Sequence, residues 1–185
     1  MSCARRWRPL ALIALVPATV LRAPAAEPAA VASGAGAAPV TPTLEFVFEE
    51  HVALAAPITP GPTALGSRNI IPITGGSFEG PAIRGTILPG GWDWQLIRAD
   101  GCVHIKADYF LKTDDGAVIN IVNQGVACRG PHGELRPVRT QPVFEPPRGR
   151  YEWLGQSAFV GTLEPVAPAA NGAPPAVRIR IYRVL

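Results

Sequence analysis

Cysteine, methionine and charge are all scarce in this chain. Of its 185 residues, three are cysteine, one is methionine and 17% are charged. Cys3 lies in the N-terminal segment, which leaves Cys102 and Cys128, too few for a cysteine-rich scaffold. His51, His104 and His132 are isolated. No spacing of His, Cys and carboxylates resembles a zinc or iron set, so neither a metal nor a cofactor is expected. Phosphate-loop chemistry is missing too: Gly75-Gly76-Ser77 and Gly90-Gly91 lack the lysine and the following helix. Thr74 to Gly80 misses the nucleophile-elbow spacing by one residue, so Ser77 reads as part of a strand bend. No window of ten residues carries a helical apolar stripe, and 21 prolines would break most candidates.

A real basic surplus is also absent. Lys and Arg exceed Asp and Glu by 17 to 14. Four of the arginines (Arg5, Arg6, Arg8 and Arg22) precede every acidic residue, and the remainder is net −1. A nucleic-acid binder needs a basic face to offset phosphate charge, so no nucleic-acid partner is expected.

Residues 1–26 read as a secretory signal peptide: a positive start, an apolar stretch from Leu10 to Leu21, and Ala23-Pro24-Ala25 as a small-x-small cleavage pattern. The stretch is shorter than the roughly 20 apolar residues of a membrane span. A twin-arginine signal and an uncleaved anchor are the alternatives. The implied location is periplasmic or secreted, with no membrane span once the signal is removed. Residues 27–42 are nearly all Ala, Pro, Gly and Val and read as a linker.

Residues 43–185 break into short β-type runs between glycines and prolines: 43–54, 68–78, 82–88, 92–98, 102–113, 117–128, 140–145, 153–163 and 176–185. The last alternates Val177, Ile179 and Ile181 with Arg178, Arg180 and Tyr182, a period of two with one face buried. Many short strands with regular turns predict an all-β domain, a single small antiparallel β-barrel of lipocalin-like general shape. Residues 164–176 read as an exposed low-complexity insert.

Lys112-Thr113-Asp114-Asp115-Gly116-Ala117 predicts a three-residue hairpin turn with Gly116 in a left-handed conformation. Pairing Thr113 with Ala117 sets the register, so opposed residues sum to 230. Tyr109 then faces Ile121, Ala107 faces Asn123, and Cys102 faces Cys128. In an oxidising compartment a cross-strand disulfide follows, against the alternatives of two buried thiols or a slipped register. The same register puts Val103, Ile105, Ala107, Tyr109, Leu111, Ile119, Ile121 and Asn123 on one face, taken as the interior. Tyr109 and Asn123 are then buried polar groups, and each needs a partner.

Asp93-Trp94-Gln95 follows Gly90-Gly91, where the chain can approach a neighbour closely. Asp93 and Gln95 point the same way in an extended segment and can hold a hydroxylated ligand or relay a proton. The competing reading is a turn aspartate with Trp94 as core. Phe144-Glu145 and Tyr151-Glu152-Trp153 offer an aromatic–carboxylate wall, with Trp153 as plain core the alternative. Arg68 is a candidate partner for an anion or a buried carboxylate, or else a solvated strand-end residue.

Several of these segments, in this order, resemble the domain-of-unknown-function 3237 family. They are Gly66 through Pro81, Gly90-Gly91-Trp92-Asp93-Trp94-Gln95, Thr113 to Gly116 with Ile119 and Asn123, Phe144-Glu145, and Tyr151 to Leu154. The resemblance covers about residues 43–185. It implies a small antiparallel β-barrel and no particular activity. It carries Arg68, Glu79, Asp93, Trp94, Gln95, Tyr109, Asp115, Asn123, Glu145 and Trp153. Cys102, Cys128 and the long insert depart from its pattern.

Three functions fit. The first is a small-molecule-binding barrel whose polar contacts come from Arg68, Glu79, Asp93, Gln95, Tyr109, Asn123 and Glu145, with Trp94 or Trp153 as a wall. The second is a cofactor-free lyase, isomerase or hydrolase with Asp93 or Glu145 as base and Tyr109 as acid. The third is a structural or interaction protein of the cell envelope. The expected partner is a small-molecule ligand, and the oligomeric state is left open.

Overall fold

A computed structural model describes residues 39–166 and 175–185. The expected signal peptide, most of the linker and the middle of the insert lie outside the described residues. Ten strands follow in chain order: β1 (Leu44–Leu54), β2 (Ile58–Thr63), β3 (Gly66–Glu79), β4 (Arg84–Ile87), β5 (Gly91–Ile97), β6 (Val103–Thr113), β7 (Val118–Ala127), β8 (Val138–Glu145), β9 (Phe159–Val166) and β10 (Ala176–Val184). Every pairing between them is antiparallel.

The ladder runs β1-β10-β9-β8-β7-β6, continues through β4 and β5 to β3, and returns to β1. β4 and β5 occupy successive lengths of one stave, because both pair with β3 and with β6. β2 continues the line of β1 along β3. The result is a closed eight-stave antiparallel barrel, and closure removes the sheet edges that an open sheet would expose.

Two features bend the sheet into a closed wall. The register of β1 shifts between Phe46 and Phe48, the mark of a bulge. Gly76 in β3 has φ +142, and a Cβ there would lie 2.0 Å from the His51 carbonyl oxygen. Only glycine lets β3 cross β1 so closely.

The β6–β7 hairpin has the predicted register. Ala107 pairs with Asn123 and Tyr109 with Ile121, and Gly116 sits at φ +91. Cys102 and Cys128 are joined as a disulfide, with Cα atoms 4.4 Å apart. Asp115 anchors the turn by accepting the Tyr151 hydroxyl hydrogen bond at 2.9 and 3.0 Å. Three expectations need correction. The insert expected over 164–176 is shorter at both ends, because Glu164, Pro165 and Val166 complete β9 and pair with Arg178, Val177 and Ala176 of β10. Residues 152–156 form a single 3-10 turn rather than the start of a strand, so β9 begins at Phe159. β2 was not anticipated, because Pro60, Gly61 and Pro62 conceal a strand paired on one side.

One half of the interior is solid. Phe48, Phe78, Phe144 and Phe159 form a chain of ring contacts with centroids 5.0–6.0 Å apart. Leu111, Ile119, Ile121, Leu154 and Ile181 fill the space around them and are fully buried. No helix among the described residues is long and apolar enough to cross a membrane.

Candidate functional site

The other half of the barrel is hollow. A cavity of about 120 Å³ is walled by Val52, Leu54, Ile71, Ile73, Ile105, Ala107, Leu163, Val177 and Ile179. Four polar side chains also line it: Asp93, Gln95, Tyr109 and Asn123. The strand register explains the space. Ile71, Asp93, Ala107 and Asn123 lie side by side across β3, β5, β6 and β7. Ala107 is the small residue between two polar ones, so the wall recedes there. Gly91 lies one step deeper, where a Cβ would sit 2.5 Å from the Tyr109 Cβ. The close approach expected at Gly90-Gly91 is to Tyr109.

Tyr109 is fully buried, and its hydroxyl donates to Glu50 Oε2 at 2.7 Å. Glu50 comes from β1, and nothing in the sequence analysis singled it out. It sits between Phe48 and Val52 on the inward face of its strand, with no exposed surface. Burial without a cation pushes its pKa from 4.5 to about 8, against the opposing effect of the Tyr109 hydrogen bond. Glu50 is therefore largely neutral at pH 7. Burial also raises the Tyr109 phenol well above its ordinary value, and the nearby Glu50 and Asp93 charges raise it further. Glu50 Oε1 and Asn123 Oδ1 are buried without any protein partner. Such atoms are rare in folded proteins; Asn123 lines the cavity and can bond a ligand there, whereas Glu50 lies behind Tyr109 and does not line it.

Asp93 sits nearer the open half, held by a short relay. Its carboxylate accepts from Gln95 Nε2 at 2.8 Å and from the Lys106 backbone N–H at 3.2 Å. Gln95 Oε1 in turn accepts from Asn69 Nδ2 at 2.9 Å. Burial raises the Asp93 pKa, while these hydrogen bonds and the charge of His104 oppose the rise. A carboxylate with a raised pKa is a stronger base than an ordinary one. No Lys or Arg lines the cavity.

The remaining sequence candidates lie elsewhere. Trp94 points outward and is 46% exposed, so it walls no interior pocket. Arg68 shares the outward face of β3 with Ile70 and Pro72, apart from the cavity. Glu79 and Glu145 are exposed at strand ends. Phe144 belongs to the aromatic plug, and Trp153 packs on Phe159 beneath Arg183 at that filled end. The expected wall of Phe144, Glu145 and Trp153 therefore does not face the cavity. The reason is alternation: Phe144 points in, so Glu145 points out. Among the described residues no three His, Cys, Asp or Glu side chains gather as a metal-holding group.

Residues 42–184 match a protein family described as "Protein of unknown function (DUF3237)". The chain belongs to this family. A UPF0311 protein of Rhodopseudomonas palustris is 39% identical over 138 residues, covering 66% of this chain and 90% of that protein. A β-barrel-like protein of Acinetobacter baumannii has the same fold, with a TM-score of 0.71 and 30% identity over 80% of this chain and 98% of its own. A more distant relative, 29% identical over 133 residues, is named a hydroalkoxylation enzyme of Penicillium herquei. It covers 69% of this chain and 78% of that protein. The DUF3237 match spans all ten strands, so the cavity and its polar groups lie within the family's own domain.

Proposed function

We propose that the barrel binds a small, uncharged, mostly apolar organic molecule bearing a hydroxyl or carbonyl group, and moves a proton on it. The observation that carries this reading is the placement of Asp93 and Tyr109 on one apolar-walled cavity, each with a pKa raised by burial. The volume supports a ligand, or part of one, the size of a single ring. A benzene-sized ring enters engineered cavities of about 150 Å³. The absence of a lining cation disfavours a carboxylate or phosphate, which would lie uncompensated beside Asp93.

In this scheme the Asp93 carboxylate takes a proton from the ligand's O–H or from a carbon next to its carbonyl. The Tyr109 hydroxyl gives a proton to the carbon or oxygen where charge develops. Neutral Glu50 then returns one to the phenolate, the proton held by Asp93 restores Glu50 by way of the Tyr109 hydroxyl once the product leaves, and Asn123 bonds the ligand's polar group. Protons are redistributed and none is gained or lost, so no cofactor enters the balance. Adding an alcohol O–H across a carbon–carbon double bond has this form, and the name of the Penicillium relative supports that class. If the protein is exported, as its first 26 residues lead one to expect, the reaction takes place outside the cytoplasm.

The test is a methyl-detected NMR titration with phenol and with cyclohexanone, followed by deuterium exchange in D2O. Binding shifts the methyls of Ile71, Ile73, Ile105 and Val177, and protein-dependent deuteration of the ketone α-carbon disappears in Asp93→Asn. Unmoved methyls up to the solubility of both probes overturn the ligand site. Shifts without deuteration leave a binding protein and overturn the proton transfer.

A further inference from the structure

We infer that the ligand of the cavity is a ring carrying two hydroxyl groups, held as a hydrogen-bond donor by Asn123 and Asp93. Given the cavity as the ligand site proposed above, its hydrogen-bonding atoms narrow the ligand's class from a hydroxyl or a carbonyl to a pair of hydroxyls.

The cavity has a floor and a mouth. Val52, Ile73, Tyr109, Asn123 and Ile179 are buried at one end. Leu54, Ile71 and Val177 lie two residues away along the same strands and are only partly buried, as are Gln95 and Leu163. A ligand's apolar edge therefore rests at the mouth, and a polar group reaches the floor.

Every side-chain donor at the floor is already committed. The Tyr109 hydroxyl gives its hydrogen to Glu50 at 2.7 Å, so its oxygen is left to accept. Asn123 bonds that phenol and lowers its pKa, which is the effect of a donated N–H. The chain from Asn123 through Tyr109 to Glu50 fixes which way the amide points. Asn123 Oδ1 is left as a buried acceptor without a protein partner. A carbonyl or ether oxygen placed there sets lone pair against lone pair, whereas a hydroxyl satisfies it.

A second acceptor stands across Ala107. Asp93 on β5 and Asn123 on β7 both pair with Ala107, which puts their backbones two strand spacings apart, about 9.5 Å. The Asp93 carboxylate accepts from Gln95 and from the Lys106 backbone N–H. A carboxylate has about four acceptor positions, so two stay free for a ligand. One hydroxyl has one hydrogen and serves one acceptor. Two on a single ring serve both: one anchors on Asn123, and the other meets Asp93, the group that takes its proton.

Methyl-detected NMR titrations with fluorobenzene, phenol and resorcinol test this, because the three share a ring and differ in their hydroxyls. Resorcinol is expected to bind at least tenfold more tightly than phenol, since a ligand that leaves a buried acceptor unmet forfeits that bond and strands the acceptor. In Asn123→Leu the two are expected to bind alike. In the wild type the Asn123 side-chain carbonyl carbon should shift with resorcinol and stay in place with fluorobenzene, which reads the anchor even where the variant fails to fold. Resorcinol binding no tighter than phenol overturns the diol and leaves the ligand site standing. A tenfold step that survives in Asn123→Leu, or a carbonyl carbon that resorcinol does not move, overturns it equally. Methyls unmoved by all three probes overturn the ligand site itself, and the diol with it.

Discussion

Replacing Glu50 by Gln isolates the energetic cost of the buried carboxyl. Glutamine keeps the volume and an oxygen to accept from Tyr109, but it does not titrate. In the unfolded chain the glutamate ionises near 4.5, whereas in the barrel burial holds it protonated to about 8. Between those values the native state binds more protons than the unfolded one, so wild-type stability falls as pH rises and levels off above the folded pKa. Each unit is worth about 1.4 kcal/mol, which bounds the whole effect at roughly 5 kcal/mol. Asp115 acts with the opposite sign. Its pKa is lowered, chiefly by the Thr113 hydrogen bond and then by Tyr151, so it stabilises at neutral pH and loses that effect in acid. It is present in both proteins and cancels in their difference. Urea unfolding at a series of pH values between 4.5 and 8 should therefore give a Glu50→Gln advantage near zero at the acid end, growing to several kcal/mol at the alkaline end. Parallel stability curves across that range would refute the assignment of a neutral, unpaired carboxyl beneath Tyr109.

Three further outcomes follow from particular contacts. Removing the Cys102–Cys128 bond, which closes a loop of sequence separation 26, should cost about 3 kcal/mol, read as a lower urea midpoint for the double Ser variant. Gly91→Ala drives a methyl into the Tyr109 Cβ at 2.5 Å; an overpacking loss of about 1–3 kcal/mol is expected, together with a displaced Tyr109 ring resonance. Tyr109→Phe leaves Glu50 Oε2 without its donor. It should cost about 1–3 kcal/mol at neutral pH and abolish probe deuteration even if binding survives.

The barrel was legible where local chemistry fixes geometry. Asp114, Asp115 and Gly116 define a turn, the turn defines a register, and the register orders every inward residue of β6 and β7, including Tyr109, Asn123 and the disulfide. Asp93 and Gln95 were legible for a related reason: two residues apart on a strand, they share a face. The candidates that lie off the cavity were chosen by residue type and by the family resemblance, without regard to strand alternation. Trp94 and Glu145 have suitable chemistry, but alternation turns them outward while Asp93 and Phe144 turn in.

Glu50 shows where such reasoning stops. It lies in the run Glu49-Glu50-His51, whose composition reads as solvated surface, behind a bulge at Phe46–Phe48 that interrupts the period of two. The usable signal was the alternation of Phe48, Glu50 and Val52, which assigns a carboxylate to the apolar face. No pattern along β1, however, says that this carboxylate meets a phenol 59 residues away. That pairing is set by closure of the barrel. β1 and β6 share no ladder, but β3 and β5 between them curve the wall until Glu50 and Tyr109 face each other inside it. A fully buried carboxylate in an apolar wall is tolerated only as a neutral acid or with a partner. Glu50 has Tyr109 on one oxygen and nothing on the other. The destabilisation it imposes above pH 4.5 is offset only in part by the Tyr109 hydrogen bond, which agrees with the proton-returning role proposed for Glu50.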